Sequence, residues 1–167
     1  GWTGALVTNS NCTSVPGVMS LAPLRQFGIK KVLLTSQQAL SGAGHPGVAS
    51  LDAMDNVIPY VGGEEEKVET ETLKMLGAYQ GGSIAPFPAI VSATCTRVPV
   101  IDGHMVSISV ELENDPGMDA IIHAWSSFRG ENPIPSLPSA PAQPVIYFSQ
   151  PDRPQTRRSR GAGNRRK

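Results

Sequence analysis

Residues 104–112 alternate between an apolar and a largely polar series of side chains, and this alternation constrains the fold most strongly. Successive side chains of a β-strand point to opposite faces of a sheet. One face consists of His104, Val106, Ile108, Val110 and Leu112, and the other of Met105, Ser107, Ser109 and Glu111. A strand with one apolar face belongs to an antiparallel or mixed sheet that is covered on one side. We therefore predict an α+β domain with a mixed, largely antiparallel sheet and helices packed on one face.

Weaker patterns place the remaining elements. We predict strands over residues 4–8, 31–36 and 145–148, an extended segment over 89–100, and helices over 14–27, 64–76 and 117–129. Gly28 suits the end of the first helix. A chain of 167 residues is long enough for one domain. We assign residues 1–155 to this domain and the basic residues 156–167 to a flexible tail.

The composition excludes several classes of protein. The chain has 14 basic and 14 acidic residues, so its overall charge does not indicate a nucleic-acid or membrane partner. Two cysteines are too few for a disulfide framework, and we find no secretion signal and no apolar run that could span a bilayer. We therefore expect a cytoplasmic protein.

Cys12 follows a short apolar run and precedes the first predicted helix. Unpaired N–H groups at a helix start favour the thiolate, which is the nucleophilic form of cysteine. Thr13 and Ser14 are suitable caps for this helix. Cys12 is therefore either a candidate nucleophile or a small core residue. The sequence has neither a glycine-rich phosphate loop nor metal-ligand spacing, so we predict no metal site.

Five further polar residues are candidates for a site or for a purely structural role. His104, on the apolar face of its strand, is either a satisfied core histidine or the acid/base that a cysteine nucleophile needs. Arg97, in an apolar extended segment, either anchors a salt bridge or binds a carboxylate in bidentate geometry. Glu64 and Lys67 fit a solvated helix face. Gln38 precedes a glycine-rich loop and either orients an acyl group or bonds to backbone.

Four motifs occur in a distinctive order, namely Asn11-Cys12-Thr13, Gln38-Ala39-x-Ser41-Gly42, Glu64-x-x-Lys67 and Arg97-x6-His104. Longer stretches accompany them, including Ser41-Gly42-Ala43-Gly44-His45-Pro46-Gly47, Asp55-Asn56-Val57-Ile58-Pro59-Tyr60 and Arg97-Val98-Pro99-Val100-x-Asp102-Gly103-His104. Together they closely resemble the catalytic domain of aspartate-semialdehyde dehydrogenase, in its archaeal and fungal branch. The resemblance covers about residues 4–155 and implies a fold of the glyceraldehyde-phosphate-dehydrogenase-like type.

The resemblance implies a catalytic machinery. Cys12 would be the nucleophile, His104 the general acid/base, and Gln38 would orient the acyl intermediate. Ser41 and Gly42 would contact the cofactor, which is NADP in the complete enzyme. The reaction of the family is the reversible reductive dephosphorylation of β-aspartyl phosphate to aspartate semialdehyde, in lysine, methionine and threonine synthesis.

The resemblance also implies substrate contacts and partners. Arg97 would bind the α-carboxylate, with Glu64 on the side of the amino group, and Lys67 and Asn11 would help to hold phosphate. The partners would be the small-molecule substrate, phosphate and further copies of the same chain, in a homodimer or higher homo-oligomer.

The chain also departs from this family. Its members are about twice as long and begin with a dinucleotide-binding domain, whose glycine-rich loop is not found here. We therefore expect this chain alone to bind NADP poorly, with no cofactor bound, and to turn over little. Alternatives are a related reductase of N-acetylglutamyl phosphate, a cofactor-independent Cys-His acyltransferase or hydrolase, and a non-catalytic oligomerisation module.

Overall fold

The computed structural model describes residues 8–162, so most of the strand predicted over residues 4–8 lies outside the described residues. The helices are α1 (Ser14–Leu21), α2 (Ser50–Ala53), α3 (Glu64–Leu76), α4 (Met118–Ser127) and α5 (Thr156–Ser159). The strands are β1 (Ile29–Gln38), β2 (Ala78–Gln80), β3 (Ser83–Ala85), β4 (Ile90–Arg97) and β5 (Met105–Leu112). Short 3-10 turns cover Ala22–Phe27, Leu40–Ala43 and Ile134–Ser136.

β1 is the central strand of a three-stranded sheet in the order β4-β1-β5. It pairs with β4 in parallel, with Leu33 opposite Ser92, and with β5 in antiparallel orientation, with Leu34 opposite Ile108. A separate antiparallel hairpin joins β2 and β3. The sheet is therefore mixed, and the predicted α+β class is confirmed.

Helices α1 and α3 cover one face of this sheet, and α4 packs on the Ala22–Phe27 turn at the same core. The buried core between helices and sheet includes Leu21, Leu24, Val32, Leu34, Val68, Leu76, Cys95 and Ala124. The even-numbered side chains of β5 are half-buried and Ser107, Ser109 and Glu111 are exposed, as the alternation predicts. On the opposite face of β1, Leu33 is 61% exposed. The helices thus lie on one face and leave the other open.

β4 is an edge strand whose outer N–H groups bind carboxylates of α3. Glu65 Oε1 accepts the N–H of Cys95 and Glu69 Oε1 accepts that of Ala93, both at 3.0 Å. Four residues of helix and two residues of strand both span roughly 6–7 Å, so the two spacings match. Acidic side chains of α3 therefore attach the helix to the sheet edge and satisfy N–H groups that an edge strand leaves unpaired.

Two predicted elements differ from the structure. The first helix changes to a 3-10 turn at Ala22, because Pro23 lacks an N–H and its ring clashes with the carbonyl four residues earlier. It still ends at Gly28, which has a φ of 74°. The strand predicted over residues 145–148 is wrong: Pro144 offers no N–H to a ladder, and Tyr147 stacks on Trp125 of α4 with ring centroids 6.5 Å apart.

The predicted tail begins with a folded segment. α5 lies against the loop before β5, and Arg160 Nη1 is 3.2 Å from Asp102 Oδ2. Residues 163–167 lie outside the described residues, and both the domain boundary at 155 and the flexible tail over 156–167 stay predictions. Within the described part of the chain, every helix is too short or too polar to cross a bilayer.

We expect Glu65→Ala and Glu69→Ala each to lower the free energy of unfolding by about 1–3 kcal/mol, because each leaves an N–H of β4 without its acceptor. Glu66→Ala is the matched control, since Glu66 is exposed, and should change it by less than about 0.5 kcal/mol. Urea unfolding measures all three. Equal losses of unfolding free energy in all three variants would mean that the hydrogen bonds from Glu65 and Glu69 to β4 do not stabilise the fold.

Candidate active site

Cys12 lies in the turn that leads into α1, one residue before Thr13, and its thiol is exposed. The side chain of Asn11 caps this helix, because Asn11 Oδ1 accepts the N–H groups of Thr13 and Ser14 at 2.8 and 3.2 Å. The side chains of Thr13 and Ser14 do not cap the helix, contrary to the sequence expectation. Asn11 Oδ1, and not the sulfur, is thus the acceptor of these two N–H groups.

The sulfur of Cys12 contacts an imidazole. His104 Nε2 is 3.1 Å from Cys12 Sγ, and His104 Nδ1 accepts the backbone N–H of Ala39 at 3.1 Å. Burial, together with the positive charge of Arg97, lowers the pKa of His104 below its usual value, although Glu64 and Asp102 oppose this shift. Burial and Arg97 therefore favour the neutral form of the imidazole over the imidazolium.

Arg97 ends β4 inside the protein, with only 7% of its surface exposed. Its Nη1 donates to the carbonyl of Ala39 at 2.8 Å. None of the ion pairs formed within residues 8–162 includes Arg97. Buried charges in proteins are normally paired, so this guanidinium is suited to an anion that comes from outside the described residues. Its remaining N–H donors match the bidentate geometry of a carboxylate.

A hydrogen-bond network holds Asn11 and Thr13, the residues on either side of Cys12. Gln38, almost fully buried, donates through Nε2 to Thr13 Oγ1 and to Glu64 Oε2, both at 2.9 Å. Asn11 Nδ2 donates to the same Glu64 oxygen at 2.8 Å, and the N–H of Asn11 donates to Glu71 Oε2. The network ties the turn that carries Cys12 to the end of β1 and to the first turns of α3.

Glu64 is the centre of this network. Burial raises its pKa, but the hydrogen bonds from Asn11 and Gln38 and the charge of Lys67 outweigh burial and lower it. Lys67 Nζ is 3.6 Å from Glu64 Oε1, and 59% of the Lys67 side chain is exposed. Glu64 is thus held ionised, while Lys67 has access to solvent.

A cavity of about 390 Å³ opens beside the sulfur, lined by Cys12, Pro16, Ser41, Gly42, Asp102, Gly103 and His104. A Cβ on Gly42 would lie 2.8 Å from His104 Cε1 and 2.9 Å from Arg97 Nη1. The Leu40–Ala43 turn therefore lies directly on both side chains, and a residue with a Cβ at position 42 would require the imidazole or the guanidinium to shift. Ser41 Oγ donates to Asp102 Oδ1 at 3.4 Å across the cavity rim.

The predicted residues mostly converge on this place. The hydrogen bonds and the cavity connect Asn11, Cys12, Gln38, Ser41, Gly42, Glu64, Arg97 and His104, with Lys67 at the exposed margin. Their individual roles remain predictions. Sequence reasoning missed Asp102, although it lies within a quoted motif, and Ala39, which acts through its backbone. Among residues 8–162, no three His, Cys, Asp or Glu side chains come together to hold a metal ion.

Comparisons with known proteins agree with this site. A family model described as semialdehyde dehydrogenase, dimerisation domain, matches residues 21–166. An aspartate-semialdehyde dehydrogenase from Archaeoglobus fulgidus is 48% identical over 164 residues, which cover 98% of this chain and 47% of that protein. A more distant relative, a malonyl CoA reductase (NADP) from Metallosphaera sedula, is 35% identical over 98% of this chain and 46% of its own length.

The fold has a close counterpart among solved structures. The crystal structure of aspartate semialdehyde dehydrogenase with NADP from Candida albicans matches at a TM-score of 0.81 and 38% identity, over 92% of this chain and 45% of that chain. The chain therefore spans about half the length of the relatives it matches. The archaeal and fungal matches confirm the resemblance that the motifs indicated. The chain belongs to the semialdehyde dehydrogenase family, in which it corresponds to the dimerisation domain.

Proposed function

We propose that this chain is the catalytic and dimerisation part of an NADP-dependent aspartate-semialdehyde dehydrogenase. The reaction is the reductive dephosphorylation of β-aspartyl phosphate to aspartate semialdehyde. The proposal rests on one observation: a cysteine sulfur lies 3.1 Å from an imidazole nitrogen, beside a buried guanidinium that has no carboxylate partner within residues 8–162. The free thiols of Cys12 and Cys95 favour a cytoplasmic location.

In the first step the thiolate of Cys12 attacks the acyl carbon of the substrate. A C–S bond forms, the C–O bond to the phosphate breaks, and phosphate leaves with the electron pair, so that the product is a thioester. Arg97 binds the α-carboxylate of the substrate, because only its Nη1 is occupied by Ala39. This contact positions the acyl group against the sulfur.

NADPH, when bound, supplies the hydride that reduces the thioester carbon. The open cavity wall formed by Ser41 and Gly42 leaves room beside the sulfur for such a group. His104 Nε2, which contacts the sulfur, is within reach of the oxygen on the same carbon and donates a hydrogen bond to it as negative charge develops. Cleavage of the C–S bond then releases the aldehyde and restores the thiolate.

The remaining residues bind the substrate ends. Lys67 is exposed and is the cation that we assign to the phosphate group, while ionised Glu64 is assigned to the substrate amino group. The side chain of Asn11 is already bonded to α1 and Glu64, so we assign it the positioning of Cys12. Gln38 fixes the same turn from β1 and orients the acyl intermediate.

The relative named malonyl CoA reductase indicates a second candidate class of substrate, the malonyl thioesters. These thioesters also carry a free carboxylate that Arg97 could bind. Aspartyl phosphate differs in its amino group and its phosphate, for which Glu64 and Lys67 are available. These two charged residues favour the aspartyl substrate.

We expect β-aspartyl phosphate to acylate Cys12 in the absence of NADPH, giving a stable mass increase of one aspartyl group in intact-protein mass spectrometry. Cys12→Ala should remove this product. Cys95 gives no background, because burial, together with the charge of Glu65, raises the pKa of its thiol to about 11. β-Alanyl phosphate, which lacks the α-carboxylate, is the matched control. Its rate of reaction with Cys12 should be lower by a factor of at least about 10.

Other outcomes of this experiment would indicate a different substrate or a different function. Faster acylation by malonyl-CoA or by N-acetylglutamyl phosphate would replace the aspartyl substrate with the corresponding one. Rapid loss of the acyl group to water would support the cofactor-independent hydrolase. The absence of any Cys12 adduct with all of these donors would contradict the proposed nucleophile.

We expect Arg97→Lys to raise the β-aspartyl phosphate concentration for half-maximal acylation about 10–100-fold, because an ammonium group cannot replace a bidentate fork. Arg129→Lys is the matched control, since Arg129 is exposed and donates only to nearby backbone carbonyls at the end of α4. Thermal unfolding of both variants separates lost binding from lost folding. Unchanged saturation in a folded Arg97→Lys chain would refute the carboxylate clamp.

We further propose that a second copy of the chain covers the open face of the three-stranded sheet. The matching family model describes a dimerisation domain. Leu33 lies at the centre of this face, with Ser92 opposite it on β4 and Ser109 opposite it on β5. Small hydroxyl side chains around one exposed leucine form a flat surface that suits close packing against another sheet.

Leu33→Asp should therefore convert a dimer into a monomer, because it places a charge at the centre of the packed face. Leu51→Asp is the control, since Leu51 in α2 is 84% exposed but lies outside the sheet. Multi-angle light scattering at several concentrations gives the mass of each variant. A dimer that persists in Leu33→Asp would contradict this interface.

A further inference from the structure

We propose that Glu71 is a positioning residue for the nucleophile, because its carboxylate holds the N–H of Asn11 and so fixes the backbone immediately before Cys12. This inference rests on the proposed function, in which the sulfur of Cys12 attacks a substrate that Arg97 binds. It adds to that function a residue that acts through the main chain of Asn11 and has no step of its own in the reaction.

The hydrogen bond between Glu71 and Asn11 is short. Glu71 Oε2 accepts the N–H of Asn11 at 2.8 Å, and both residues are half-buried. A hydrogen bond to a carboxylate is about twice as strong as one between neutral groups. Glu71 takes part in none of the ion pairs formed within residues 8–162, so no cation competes with this N–H for the carboxylate.

Glu64 and Glu71 hold Asn11 at two different atoms. An α-helix has about 3.6 residues per turn, so these two glutamates lie about two turns apart on one face of α3. Glu64 Oε2 accepts the side-chain Nδ2 of Asn11 at 2.8 Å, whereas Glu71 accepts the backbone N–H. The contact with Glu64 reaches the main chain through rotatable side-chain bonds, and the contact with Glu71 holds the main chain directly. Without Glu71, the backbone can pivot about the side-chain amide.

The other polar groups of Asn11 bind within its own segment. Its Oδ1 accepts the N–H groups of Thr13 and Ser14, and its carbonyl accepts the N–H of Val15 at 3.1 Å. These bonds attach Asn11 to the start of α1 and move with that helix. The bond to Glu71 differs from them, because it attaches the same backbone to a second helix.

The residue on the other side of Cys12 is attached to the sheet. Thr13 Oγ1 accepts Gln38 Nε2 at 2.9 Å and lies 3.3 Å from Ser36 Oγ, so β1 holds Thr13. Cys12 itself is exposed, so packing restrains it little. Its position therefore depends on the two residues that flank it, one held by β1 and the other by α3.

This constraint acts on the geometry of the attacking sulfur. The rate of bond formation can fall about 100-fold when a reacting atom is displaced by about 1 Å. Arg97 ends β4 and donates to Ala39, so it is held independently of Glu71. We therefore expect the loss of Glu71 to slow the formation of the C–S bond and to leave the binding of the substrate carboxylate unchanged. A residue with a purely structural role would not separate these two quantities.

Acylation of Cys12 by β-aspartyl phosphate tests this inference, with rapid quenching and intact-protein mass spectrometry over a range of concentrations. Glu71→Ala should lower the maximal rate about 10–100-fold and change the half-maximal concentration by less than about 2-fold. Glu71→Gln retains an oxygen acceptor and should keep the maximal rate within about 5-fold of that of the unaltered chain. Glu66→Ala is the matched control, because Glu66 is exposed on the same helix, and should leave both quantities unchanged.

Amide hydrogen exchange tests the contact without substrate. Nuclear magnetic resonance of the ¹⁵N-labelled chain resolves individual backbone N–H groups. We expect the N–H of Asn11 to exchange slowly in the unaltered chain, and at least about 10-fold faster in Glu71→Ala. Thermal unfolding identifies the variants that are folded at the assay temperature. Rapid exchange of this N–H in the unaltered chain would overturn the inference, even if Glu71→Ala does not fold.

The acylation rates separate this inference from the proposed function. An unchanged maximal rate in a folded Glu71→Ala chain would contradict the positioning role, and so would a Glu71→Gln chain as slow as Glu71→Ala. A rise in the half-maximal concentration alone would replace positioning with substrate binding. If β-aspartyl phosphate does not acylate the unaltered chain, the proposed function is wrong, and the exchange of the Asn11 N–H still decides whether Glu71 holds the turn.

Discussion

The parallel pairing of β1 with β4 is the constraint on which the site depends. Parallel strands end at the same edge of a sheet, and their register places Gln38 directly opposite Arg97. β5 runs in the other direction and starts at that edge, where Met105 pairs with Gln37 and His104 precedes it. Gln38 therefore meets Arg97 and His104, which lie much later in the sequence, because the strands share one edge. The start of α1 is then tied to this edge through the bond from Gln38 to Thr13.

The site places polar groups where a stable core would have apolar ones. Arg97 is buried, and so are the polar side chains of Gln38, Ser36 and Thr13. The hydrogen bonds among these three only replace the hydrogen bonds to water that burial removes. A buried guanidinium without a carboxylate partner in the described part of the chain adds a cost that an anionic ligand would remove. Binding sites typically lower the stability of a fold locally, and the packing of the rest of the core compensates for this loss.

The sequence predicts those features that have a local signal. The charged helix has the predicted bounds of 64 and 76, and the alternating strand has the predicted faces, because helix and strand periodicity depend on nearby side chains. The motif residues could be grouped because their side chains carry chemistry. Ala39 could not be found in this way, since its contribution is a backbone N–H and C=O that every residue except proline has. The carboxylates of Glu65 and Glu69 also gave no signal, because their acceptor role depends on the position of the β4 edge in space.

The strands that carry the site also form the open face. Along β1 and β4, Gln38 and Arg97 point into the site while their neighbours Gln37 and Thr96 lie on the opposite face. A second copy packed on that face would restrict bending of both strands, and bending is the motion that would separate Gln38 from Arg97. Association and ligand binding would then favour the same strand geometry, so each would increase the affinity of the other. In the function proposed above, dimerisation and catalysis would use opposite faces of the same two strands.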